Sequence, residues 1–131
     1  MLQAYAPKSG GITFVEVPIG GPGGTGDWLP GCTTRRLDGV RVGNSRNART
    51  VVRWNGSMKD KFLQAIAKGL VELIEVKPSL NRSAIGQMVA GRAMFGRQYR
   101  VKIDRSVIVC AQADPALMWV CGQEGIALER V

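Results

Sequence analysis

Two acidic positions and one lysine carry most of the chemical content of this chain. Residues 70–77, LVELIEVK, end in Glu75-Val76-Lys77. Side chains alternate across a strand, so Glu75 and Lys77 leave it on the same face. A carboxylate and an ammonium are costly to bury side by side unless they are paired or hold something. The plainer alternative is that both sit where the strand leaves the core and are solvated. Asp38, in Arg35-Arg36-Leu37-Asp38-Gly39, poses the same question. It is either a turn residue before Gly39 or a ligand held near the core on the face of Val40, with Arg35 and Arg36 able to neutralise it. The chain has no histidine. That removes Ser-His and Cys-His nucleophile pairs, His-ligated zinc and every His general base. Hydrolytic chemistry here must be built from carboxylates, lysine, hydroxyls and a hard oxygen-bound cation such as Mg²⁺. A G-x-x-x-x-G-K-[ST] phosphate loop is absent as well.

The elements that must position these groups follow from periodicity and turn chemistry. Residues 70–77 read as a buried inner strand, Pro78 to Asn81 as a turn, and Ser83 as the cap of a helix running to about Phe95. Ile85, Met88, Val89 and Met94 form that helix's buried side, Gly86 and Gly91 permit close approach to the sheet, and Gln87 turns toward the strand's end. Upstream, residues 34–43 form a strand with Arg36, Asp38, Val40 and Val42 on one face, and pair as a hairpin with residues 49–55 across the polar turn 44–48. Residues 11–18, GITFVEVP, form a first strand whose one ionisable residue is Glu16. The Gly-rich stretch 20–31, which contains Asp27 and Trp28, reads as a flap over a substrate groove. A helix capped by Ser57 runs to Lys68 and stops at Gly69. The apolar run 106–111 predicts a strand covered on both faces, Asp114-Pro115 a helix start, and residues 126–131 a last strand. This order predicts an α/β fold: a three-layer sandwich around a mixed β-sheet, with an antiparallel hairpin early and parallel strands later, flanked by helices.

At 131 residues the chain is expected to be a single domain, residues 1–131. No apolar run approaches the roughly 20 residues of a membrane span, and the opening residues lack a signal peptide's pattern. Three cysteines without C-x-x-C spacing read as reduced thiols of a cytoplasmic protein. The net charge of +8 and a pI of about 10.0 favour a polyanionic partner, nucleic acid before a membrane surface. Arg82, Arg92, Arg97 and Arg100 string a positive edge along the second helix, and Arg35, Arg36 and Arg41 add to it from the second strand.

In Arg35-Arg36-Leu37-Asp38-Gly39, Ile74-Glu75-Val76-Lys77 and Ile85-Gly86-Gln87 the chain resembles the PD-(D/E)xK nuclease superfamily. Its VIVC run, Asp-Pro helix and closing EGIALERV resemble the Holliday-junction-resolvase and Mrr-like branches. The resemblance spans about residues 12–131. The sequence departs from it in lacking a proline before Asp38 and in placing a helix between the hairpin and the Glu-x-Lys strand. It implies that Asp38, Glu75 and the Val76 carbonyl hold Mg²⁺ or Mn²⁺, with Glu16 an additional acid. It implies further that Lys77 activates or orients water, that Gln87 holds the water, Lys77 or substrate, and that the substrate is nucleic acid, DNA ahead of RNA. Arg35, Arg36, Arg41, Arg82, Arg92 and Arg97 would contact it. A homodimer or a subunit of a larger complex, prokaryotic or phage-encoded, is the expected setting. The alternative is a non-catalytic nucleic-acid-binding or virion-assembly protein with a basic surface.

Overall fold

The computed structural model describes residues 10–21, 28–43 and 49–131. The expected turn at 44–48, Asp27 and the opening residues lie outside these. Among the described residues six strands form one sheet in the order β3-β1-β2-β4-β5-β6, where β1 is Gly11–Ile19, β2 Arg35–Gly43, β3 Arg49–Arg53, β4 Leu70–Ser79, β5 Arg105–Gln112 and β6 Ala127–Arg130. The helices are α1 (Lys59–Lys68), α2 (Arg82–Tyr99) and α3 (Pro115–Gln123). The α/β class and the mixed sheet are as the sequence predicts: β2 runs antiparallel to its neighbours β1 and β4, and β4, β5 and β6 run parallel. No helix among the described residues is long and apolar enough to cross a membrane.

One pairing differs from expectation. Residues 49–53 do not form a hairpin with β2; β3 lies parallel to β1, with Phe14 opposite Val52. A strand has two edges, and those of β2 are taken by β1 and by β4, whose apolar side chains repay the pairing best. Val40 is set between Phe14 and Leu73, all three fully buried. That leaves RTVVR the outer edge of β1.

β1 and β2 also break their own alternation at the same level. Ile12, Phe14, Val17 and Ile19 all join the main core, as do Val42, Val40 and Leu37, which strict period-two alternation forbids. The break in β1 is Glu16, held at φ 60°, a left-handed conformation uncommon for a residue with a side chain. It falls between the paired couples Val15–Gly39 and Val17–Leu37, directly across from Asp38. The irregularity therefore lies beside the candidate site.

The main core gathers side chains from all three helices and one face of the sheet, with Phe62 at its centre. Its ring meets those of Phe14, Trp54 and Tyr99 edge-on at 4.9, 5.0 and 5.3 Å. A smaller cluster, Ile74, Val107 and Val109, is buried on the other face. The run Val107 to Cys110 is thus covered on both faces, as its sequence predicts. Cys110 and Cys121 are buried thiols whose pKa values burial pushes up. The helix caps are partly different from expectation. Asp114 caps α3, accepting from the Ala116 N–H at 2.7 Å. Asn81 rather than Ser83 caps α2, accepting from the Ala84 N–H at 2.7 Å. Asn55 rather than Ser57 caps the short 3₁₀ turn Gly56–Met58 that leads into α1.

Candidate active site

β4 delivers Glu75 and Lys77 to one face of the sheet, as alternation requires, and both line a cleft of about 520 Å³. Asp38 reaches it because the β2–β4 ladder stops at the Gly39–Ile74 pair. One residue further, the Asp38 carboxylate takes over a backbone role: Oδ2 accepts the Val76 N–H at 2.8 Å. This makes Asp38 part of the sheet's end rather than a free turn residue. Its carboxyl also lies within hydrogen-bonding reach of the Glu75 carboxyl.

Two carboxyls in contact at a buried position cannot both ionise cheaply. Glu75 is 6% exposed, and its pKa is pushed up to about 8, first by burial and then by the Asp38 charge and the hydrogen bond with it. Lys77 works in the other direction but does not win. Across the cleft stands α2, with Gln87, Gly86, Ala90, Gly91 and Met94 along its wall, and Arg35 and Arg36 at the rim. Gly91 allows the close approach expected of it: a Cβ there would meet Leu37 Cδ2 at 3.1 Å. Gly86 does not; nothing lies within 4 Å of its would-be Cβ, and its missing side chain leaves the cleft open instead.

The structure thus brings together Asp38, Glu75, Lys77 and Gln87, which lie far apart in sequence, with Val76 contributing its N–H to Asp38. It does not bring in Glu16. That carboxylate forms an ion pair with Arg53 at 2.6 Å on the neighbouring edge strand, because the left-handed backbone at Glu16 breaks the alternation there.

The six arginines divide as well. Arg35 and Arg36 are exposed at the rim, donating to the Thr33 and Glu16 carbonyls, and Arg82 is exposed in the first turn of α2. Arg41 is engaged instead by buried Glu72 at 2.9 Å, since its position on β2 faces away from the cleft. Arg92 reaches Glu124 at 3.5 Å, and Arg97 stacks over the Trp28 ring at 4.4 Å. Gln98 was not anticipated. Its buried Oε1 accepts both the Gly20 N–H and the Trp28 Nε1–H at 2.8 Å, tying these two residues of the Gly-rich stretch to α2. The spacing 87, 91, 94, 98 marks one helix face and was the available signal.

The donor set suits a hard divalent cation. Mg²⁺ is commonly held by one or two carboxylates, with its other positions left to water and substrate phosphate. The pair Asp38 and Glu75 is a set of that size, and among the described residues no group of three or more His, Cys, Asp or Glu side chains converges. A cation between the carboxyls would relieve the repulsion that now raises Glu75. Comparison with protein families, with curated proteins and with solved structures returns no match.

Proposed function

We propose that this chain is a metal-dependent nuclease of the PD-(D/E)xK kind that hydrolyses phosphodiester bonds in DNA. The observation that carries this reading is the contact between two carboxyls, one of them buried, at the bottom of a cleft rimmed by arginines. Asp38 and Glu75 hold Mg²⁺ or Mn²⁺, which when bound supplies charge neutralisation at the phosphoryl oxygens and acidifies water. Asp38 is held for this by the Val76 N–H, which occupies one of its oxygens. Lys77 orients the attacking water and offsets negative charge developing on the phosphoryl group. Gln87 holds that water, Lys77 or a substrate oxygen from the α2 side. Arg35 and Arg36 grip flanking phosphates, a positioning role that carries no sequence information.

The test is cleavage of duplex, single-stranded and branched DNA with Mg²⁺ or Mn²⁺ by the wild type, Glu75→Gln and Lys77→Ala. Cutting by the wild type alone supports the proposal; a wild type as inert as the variants on every substrate rejects it.

One observation favours a second reading, a basic nucleic-acid-binding domain without catalysis. With Glu75 raised to about 8, a shared proton by itself satisfies the carboxyl pair at neutral pH. That reading expects salt-sensitive binding indifferent to EDTA and to Asp38→Ala.

A further inference from the structure

We infer that the cleft takes its nucleic-acid strand unpaired, laid along α2 with bases against an apolar wall and one base stacked on Trp28. This rests on reading Asp38 and Glu75 as the hydrolytic centre. The polar groups of the cleft lie on its floor, at the arginine rim and at Gln87 near the start of the α2 wall. The rest of that wall is the Ala90 methyl and the Met94 side chain, set over the buried Ile19 and Leu37, with Gly86 and Gly91 presenting bare helix backbone. In a continuous duplex the bases face one another, and an enzyme at the backbone meets phosphate and sugar. An apolar wall beside the reacting groups gains a partner only when a base has left the stack.

The wall leads to a prepared aromatic surface. Gly20 lies against Met94, and Gly20 and Trp28 share the Oε1 of Gln98, a side chain 4% exposed. Trp28 itself is half-buried, its indole edge fixed by Gln98 and one ring face covered by Arg97. A ring held in one plane loses little further entropy when a base stacks on it. Along α2, Arg97 stands about 15 Å beyond Gln87 at 1.5 Å per residue, so a short length of strand spans from the carboxyl pair to the indole.

Fluorescence anisotropy in metal-free buffer, with a labelled thymidine oligomer and a hairpin duplex as probes, tests this on the full chain. The wild type should bind the oligomer more tightly than the duplex. Trp28→Ala should lose about tenfold on the oligomer, the low end of a base–aromatic stack, and little on the duplex, while Trp28→Phe keeps most of the affinity. Gly86→Leu fills the bare wall at a position with room for it and replaces a poor helix former. It should abolish the preference for the oligomer without lowering the melting temperature, which separates blockage from misfolding. Equal affinity of the wild type for both probes, or oligomer affinity unchanged in both Trp28→Ala and Gly86→Leu, overturns the inference. Cleavage is scored separately. Selective binding without cutting in Mg²⁺ or Mn²⁺ rejects the hydrolytic reading while supporting the strand path. Equal cutting of duplex and unpaired DNA rejects the strand path while supporting hydrolysis.

Discussion

Glu72 and Glu75 lie three residues apart on β4, and both are nearly inaccessible, 2% and 6% exposed. Alternation sends them to opposite faces of the sheet and into opposite electrostatic situations. Glu72 is met by Arg41 Nε at 2.9 Å and by Arg105 Nη1 at 2.7 Å, and Arg105 continues to Glu129 at 2.9 Å. The chain supplies its own cations there, and the carboxylate is part of the architecture. Glu75 is met by another acid, with Lys77 too weak an influence to restore its ordinary pKa. Burying a charge beside a like charge stabilises nothing by itself. A strand that neutralises one buried carboxylate twice over and leaves the next facing an acid points to a partner from outside at the second.

The largest expected effect separates the two by function. Glu75→Ala and Lys77→Ala should each lower Mg²⁺-dependent cleavage by about 10²–10⁴-fold with the fold intact by circular dichroism, whereas Glu72→Ala, assayed where it remains folded, should change the rate far less. Next in size is stability. Glu72→Ala removes the buried carboxylate that Arg41 and Arg105 share, and urea titration should show a loss of about 2–3 kcal/mol, less than for a fully buried pair because Arg105 is half exposed and keeps Glu129. Glu75→Gln should lose nothing and at alkaline pH gain.

Acidity sharpens the contrast further. The folded pKa of Glu75, about 8, lies above its ordinary 4.5. Its favourable contribution is therefore full below about pH 4.5 and lost as pH rises through about 8. The metal-free wild type should show a melting temperature that declines across that window, and Glu75→Gln should flatten the decline. Mg²⁺ or Mn²⁺ should restore the wild type at pH 8, by about 2.7 kcal/mol at a hundred times the dissociation constant, and leave Glu75→Gln unmoved. The smallest effect concerns the wall of the cleft. Gly86→Ala, with open space around it, should stabilise α2 by about 0.5–1 kcal/mol. Gly91→Ala must push against Leu37 and should gain less or lose.

Much of this was legible without coordinates because it depends on near neighbours. The shared face of Glu75 and Lys77, the doubly covered run Val107 to Cys110 and the Asp114-Pro115 helix start all follow from the period of a strand or the chemistry of a cap. Gln87 belongs to the same class, since it sits a few residues beyond a recognisable turn. What could not be read locally was the partner each group would meet. Whether Asp38 is a turn residue or a companion to Glu75 turns on β2 pairing with β4 and on that ladder ending at Gly39–Ile74. Glu16 goes to Arg53 and Arg41 to Glu72 because β3 takes the outer edge of β1 and because Glu16 adopts φ 60°.

The sequence by itself determined the α/β class, the strand that carries Glu75 and Lys77, and the exclusion of histidine chemistry, since composition and short-range periodicity need no knowledge of the distant chain. Only the tertiary structure decided which charges cancel and which are left facing each other. Coulomb energy depends on distances of a few ångströms between residues tens of positions apart, and those distances exist only once the strands have chosen their edges.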